Sequence, residues 1–170
     1  ARRQRQMCIR DSLGGGDLRI QAILIAFCFG GLLEALAGFG APVAITATMI
    51  LSLGVKPLKA AVTVLIANTA PVAFGAVAVP ITTAADVGGK DAHVIATIVG
   101  HQAPFLAMLV PLILLVILDG MQGLKDAWLP ALVIGVSFAI AQWVTAATPA
   151  YNLTDVVACI VSMGVAVIFL

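Results

Sequence analysis

Residues 20–55 carry a single charged side chain, Glu34, in an otherwise apolar stretch. That run constrains the fold more than any other feature. A continuous helix over it would be about 54 Å long at ~1.5 Å per residue, too long for tilt to fit into a ~30 Å hydrocarbon layer. Two full spans and a turn need more residues than are present. The run also holds GFGAP at residues 38–42, where two glycines and a proline oppose helix. Two half-length helices meeting at that break, as a re-entrant hairpin or a discontinuous span, are therefore expected over residues 18–55.

Composition agrees that lipid is the solvent. Hydrophobic residues make up 62% of the chain and charged residues 10%, against about 45–50% and about 25% in soluble domains. The apolar runs lack a period of two, which argues against a β-barrel. With a net charge of +1 there is no electrostatic case for nucleic acid. Cys8, Cys28 and Cys159 share no ligand-like spacing; the last two sit in apolar runs and read as small packing residues.

Further spans are expected over residues 57–81, 92–118, 127–147 and 154–170, joined by a polar loop at 82–91 and a charged loop at 119–126. The second run is also broken in its middle, at Asn68-Thr69-Ala70-Pro71, with Gly75 beyond. The chain begins with Ala and stops inside an apolar run too short to span, so it reads as an internal fragment. Its first twelve residues, ARRQRQMCIRDS, resemble a translated adapter sequence and are expected to be non-native. If the hairpin ends share one side, Arg19, Lys56, Lys59 and Lys125 lie together and Lys90 lies opposite. The positive-inside rule then makes the first group cytoplasmic.

Two helix breaks in apolar surroundings need compensation, because freed backbone groups in a bilayer cost several kcal/mol each. Half-helix starts near Pro42 and Pro71 would aim N–H groups at an anion, and Asn68 and Thr69 add polar side chains. The plainer alternative is a pair of packing kinks, with glycine letting helices approach. An ionised Glu34 in mid-membrane would cost at least ~2.5–3.5 kcal/mol. Taking a proton avoids this and suits proton coupling; pairing with a neighbour, or capping N–H groups around residues 38–40, would also serve. His93 and His101 fit a proton path less well than an interfacial position and a backbone hydrogen bond. Trp128 and Trp143, near opposite ends of one span, read as interfacial anchors.

The stretches FCFGGLLEALAGFGAPVAITA (27–47) and LKAAVTVLIANTAPVAFGAVAVPI (58–81) closely resemble the bacterial lactate permease family. The likeness continues through FLAMLVPLILLVILDGMQGLKDAW (105–128) and SFAIAQWV (137–144). It implies a multi-span inner-membrane symporter taking up L-lactate, and often D-lactate and glycolate, with a proton. By that resemblance Glu34, Gly38, Phe39, Gly40 and Pro42 match one family motif, and Asn68, Thr69, Ala70, Pro71, Phe74 and Gly75 the other. The family is also distantly similar to carboxylate carriers built on broken hairpins. His101 departs from the pattern, which leads one to expect Arg there, so no anion-binding role carries over to it.

The expectation is thus an all-α membrane protein, a transporter fragment with a broken hairpin and discontinuous spans. A small 2-hydroxy carboxylate would lie between the breaks at 38–42 and 68–71, its hydroxyl on Asn68 or Thr69, with Glu34 carrying the proton and no cofactor. The sequence sets no oligomeric state and does not separate H⁺ from Na⁺ coupling. A carrier for another small organic anion is the nearest alternative. An intramembrane enzyme would need paired acids or a nucleophile and base at mid-depth, and the sequence offers one buried carboxylate without a partner. A purely structural subunit would have straight, uninterrupted helices.

Overall fold

The structure, a computed structural model, describes residues 17–38 and 40–169. The expectations for residues 1–12 and for Phe39 lie outside the described residues. Those described form helices and turns, with no strand among them.

Helix α1, Leu18–Ala37, is opened by Asp17, whose carboxylate accepts from the Arg19 N–H at 3.1 Å. This is the side-chain cap that an orphan first-turn donor needs. The helix stops at Gly38, whose φ of 80° is open to glycine and strained for other residues. Helix α2, Gly40–Ser52, folds back along it. Gly30 and Thr46, each eight positions from Gly38, lie side by side, so that a Cβ on Gly30 would sit 3.4 Å from Thr46 Cγ2. The expected hairpin is present, with two corrections. Its arms are unequal, because α1 has 20 residues, about 30 Å and enough to cross, against 13 in α2. The tip therefore lies near the far end of α1 instead of halfway through, and Gly40 and Pro42 already belong to α2. One further feature gave no sequence signal: Leu24–Phe29 is a π-helical segment, which shifts the register of the α1 face beyond it.

Helix α3, Pro57–Ala67, begins on a proline in its first turn and ends at Asn68. The chain then leaves regular helix until α4, Val79–Gly88. Two corrections follow. Pro71 starts only a single 3₁₀ turn, Pro71–Ala73, so no half-helix begins there. Most of the loop expected at 82–91 is helix, since VPITTAADVG continues from Pro80 to its stop at Gly89, φ 60°. Lys59 Nζ donates to the Leu118 carbonyl at 3.1 Å, whereas Ile81 packs with Ala96. Residues 57–88 thus run from one end of the following helix to the other, as a discontinuous crossing.

Helix α5, Ala92–Ala146, would be about 80 Å long if straight. Asp119, Gly120 and Ala127 have non-helical backbone and fold it into two antiparallel arms, at the corner expected for the 119–126 loop. The arms meet closely: a Cβ on Gly135 would collide with the Met108 carbonyl, and one on Gly100 with Ala146. Lipid gives helices no hydrophobic reason to associate, so small residues that permit backbone approach supply the packing instead. After a 3₁₀ turn, Tyr151–Leu153, helix α6, Thr154–Phe169, packs antiparallel to the second arm of α5. Ser162 Oγ donates to the Ile134 carbonyl at 2.9 Å, and Gln142 Nε2 donates to Asp155 Oδ1 at 2.9 Å.

Helix α1 packs against both of these elements. Phe27 meets Phe138 edge-on at 4.9 Å, and Cys28 lies 3.6 Å from Ser162. Its cytoplasm-predicted end is tied by Arg19, which bridges Asp119 and Asp126 in the α5 corner. Phe105, Leu106 and Ile168 stand exposed, as lipid-facing side chains do.

Candidate functional site

The two backbone breaks meet. Gly38 at the hairpin tip lies against Ala76 in the second break, its Cβ position 3.8 Å from the Ala76 Cβ. About two helical turns earlier, Gly31 lies against Pro71. Gly75 has φ 55°, and the two residues following Ala76 also turn left-handed, Val77 at 49° and Ala78 at 56°. For a β-branched valine this is a strained conformation, held only where surrounding structure enforces it, and such strain clusters at ligand sites. Helix α2 starts at Gly40 on the far side of the tip, with first-turn N–H groups that lack intrahelical partners.

The residues expected at the site divide by placement. Gly38, Pro71 and Gly75 lie at the meeting of the breaks. Asn68 is 3% exposed, and its Nδ2 has no partner among the described residues. Thr69 is exposed, and its hydroxyl donates to the Ile66 carbonyl at 2.6 Å. Ala70 belongs to the main core. Phe74 turns away, packing with Ala78, Ile81, Ala96 and Ala146 and touching the Gly100 position, so it joins α5 to the break. Pro42 is buried, and its carbonyl accepts from Thr46 Oγ1 at 2.6 Å.

Glu34, one turn before the tip, is 2% exposed, and its Oε2 has no hydrogen-bond partner among the described residues. Sequence reasoning found one buried carboxylate, but among the described residues the fold buries two. Asp155, in the first turn of α6, is also 2% exposed. Helices α1 and α6 run antiparallel with Cys28 against Ser162 and Gly31 against Cys159, so the next rung brings Glu34 opposite Asp155. Gln142, fully buried, holds Asp155 from the α5 side. The signal for this was an acid just inside the last apolar run. It falls within the span expected over residues 154–170, and nothing local to it marks it as a partner for Glu34.

The histidines lie apart from this cluster. His93 sits at the start of α5 with Nε2 3.3 Å from the Ala147 carbonyl, and His101 Nδ1 lies 2.6 Å from the Thr97 carbonyl. An apolar groove of about 340 Å³, lined by Pro104, Phe105, Met108, Ile140 and Trp143, lies on the α5 arms and includes no acid. Among the described residues no group of His, Cys, Asp and Glu is arranged to hold a metal ion.

Helices long and apolar enough to cross a membrane, with buried acids and broken backbone between them, define a multi-pass α-helical membrane protein. Residues 4–170 match the sequence family described as L-lactate permease, and the chain belongs to that family. It is 50% identical over 154 residues to the glycolate permease GlcA of Escherichia coli (strain K12), a match covering 91% of this chain and 28% of the relative. It is 48% identical over 154 residues to the L-lactate permease of Bacillus subtilis (strain 168), covering 91% of this chain and 27% of the relative. The L-lactate permease of Escherichia coli (strain K12) is 46% identical, with 91% and 28% covered. The chain therefore spans little more than a quarter of the length of these relatives, which are bacterial permeases and not enzymes. No solved structure matches the chain.

Proposed function

We propose that this segment forms part of a carrier that moves L-lactate, and related small 2-hydroxy acids, across a bacterial inner membrane together with a proton. The observation that carries the reading is the meeting of two helix breaks beside a buried carboxylate, in a chain of the permease family. A lactate carboxylate at the breaks gains from the first-turn N–H groups of α2 and from the buried Asn68 amide, since donors fixed in a low-dielectric site bind anions without reorganising. Its hydroxyl would bond the Asn68 side chain, because the Thr69 hydroxyl already donates to the Ile66 carbonyl. Glu34 takes a proton as the substrate enters, so that one cation and one monoanion move together and no net charge crosses the hydrocarbon. Glycolate, which lacks only the methyl group, is the second reading, favoured by the 50% identity to a glycolate permease.

The test is uptake of labelled lactate by the intact carrier that contains this segment, with and without an inward proton gradient. Accumulation should require the gradient. Glu34→Gln should weaken gradient-driven uptake more than lactate–lactate exchange, because exchange needs no net proton cycle. Equal loss of both would make Glu34 structural, and accumulation indifferent to the gradient would remove proton coupling.

A further inference from the structure

We propose that the transported proton is held by two carboxylates, Glu34 of α1 and Asp155 of α6, with Gln142 of α5 as their positioning residue. The proposal rests on the proton-coupled reading above, to which it adds a second acid and a third helix.

Glu34 and Asp155 are each 2% exposed and occupy facing positions one rung beyond the Gly31–Cys159 contact. A separate observation points to a bound cation. Glu34 Oε2, Asp155 Oδ2 and Gln142 Oε1 are all buried without a hydrogen-bond partner among the described residues, and all three are acceptors. Unpartnered buried acceptors from three helices call for hydrogen, not for another acceptor. No side-chain cation supplies it, since no Lys, Arg or His is buried among the described residues. Arg19 is engaged by Asp119 and Asp126, and Lys59 by the Leu118 carbonyl, at the opposite end. The remaining titratable groups on the elements packed around the pair are Cys28 on α1, Cys159 on α6, Tyr151 in the turn before α6, and His93, His101 and Lys125 on α5. None of them brings a buried positive charge.

Two carboxylates in such a place cannot both stay ionised. The resting pair keeps one proton between them. Entry of a lactate anion at the neighbouring breaks disfavours the remaining negative charge, so a second proton from outside water forms an O–H bond on the free carboxylate. On the inner side that O–H bond breaks and the proton leaves with the lactate, returning the pair to its singly protonated state. Nothing is oxidised or reduced. By linkage, lactate raises proton affinity by the same factor as the proton raises lactate affinity. Gln142 Nε2 donates to Asp155 Oδ1 and leaves Oδ2 without a partner among the described residues, so its role is to hold the acid and not to carry the proton.

The experiment measures lactate affinity of the intact carrier against pH. Wild type should bind about tenfold more weakly per pH unit above a break point, the signature of one proton taken up with each lactate. Asp155→Asn should move that break by a pH unit or more, which follows only if the two acids share protons. Asp155→Glu should restore the pH dependence, and Gln142→Leu should shift the break while keeping its slope. If Asp155→Asn does not insert, Asp155→Glu and Gln142→Leu carry the test. An unmoved break in every inserted variant would overturn the pair, as would accumulation driven by a sodium gradient with the pH profile unchanged. If glycolate binds with this variant pattern and lactate does not bind, the lactate reading falls and the pair stands. If lactate is driven by protons while the break ignores Asp155 and Gln142, the pair falls and the lactate reading stands.

Discussion

Replacing Asn68 by alanine, with Thr69→Ala beside it, separates a binding break from a packing kink. The two residues are neighbours in sequence but not in environment. Asn68 is 3% exposed and its Nδ2 has no partner among the described residues, whereas the Thr69 hydroxyl is already satisfied by Ile66 at 2.6 Å and is exposed. If the Asn68 amide donates to bound substrate, Asn68→Ala leaves a buried substrate oxygen unpaired, a loss of about 1–3 kcal/mol. That corresponds to roughly 5- to 150-fold in affinity. Thr69→Ala removes only a local bond at the surface and should stay within about 0.5 kcal/mol, roughly twofold. The assay is lactate binding to the purified intact carrier, repeated with propionate, which lacks the hydroxyl. A smaller loss for propionate than for lactate assigns the Asn68 amide to the hydroxyl, and equal losses assign it to the carboxylate. If Asn68→Ala inserts and binds both acids with wild-type affinity, the second break is a packing feature and the reasoning fails.

Other expectations concern topology and packing. In intact cells an impermeant thiol reagent should label Asp86→Cys and reach Gln122→Cys only after permeabilisation; both positions are exposed, Asp86 in α4 near the start of α5 and Gln122 at the corner between the α5 arms, and Cys28 and Cys159 are buried. Labelling of Gln122→Cys in intact cells would invert the orientation. Gly135→Leu should destabilise the protein by about 1–3 kcal/mol or more, read as a lower unfolding temperature in detergent, because its Cβ would meet the Met108 backbone, with the carbonyl carbon 3.1 Å away. Gly164→Ala, where no atom lies within 4 Å, is the control and should not lower it.

Much of this architecture was legible in the sequence because the bilayer allows few solutions. An apolar run too long for one span, holding a Gly-Phe-Gly-Ala-Pro break, leaves a hairpin as the economical fold, and Gly38 turns the chain there. The Asp119–Gly120 corner was marked by charge and glycine, and the second break by Asn68 and Pro71. Local chemistry sets such features, and local chemistry can be read along the chain. The unequal hairpin arms, the continuation of α4 through Gly88 and the strained Val77–Ala78 pair could not be read in that way, since neighbouring helices fix them. Asp155 shows the limit most clearly. In sequence it is an acid at the edge of an apolar run, far from Glu34. Only the antiparallel packing of α1 on α6, set by Gly31 against Cys159 and Cys28 against Ser162, withdraws it from water and places it opposite that carboxylate. Burial of a charge is a property of what surrounds it, and for residues so far apart in the chain the surroundings exist only in the folded molecule.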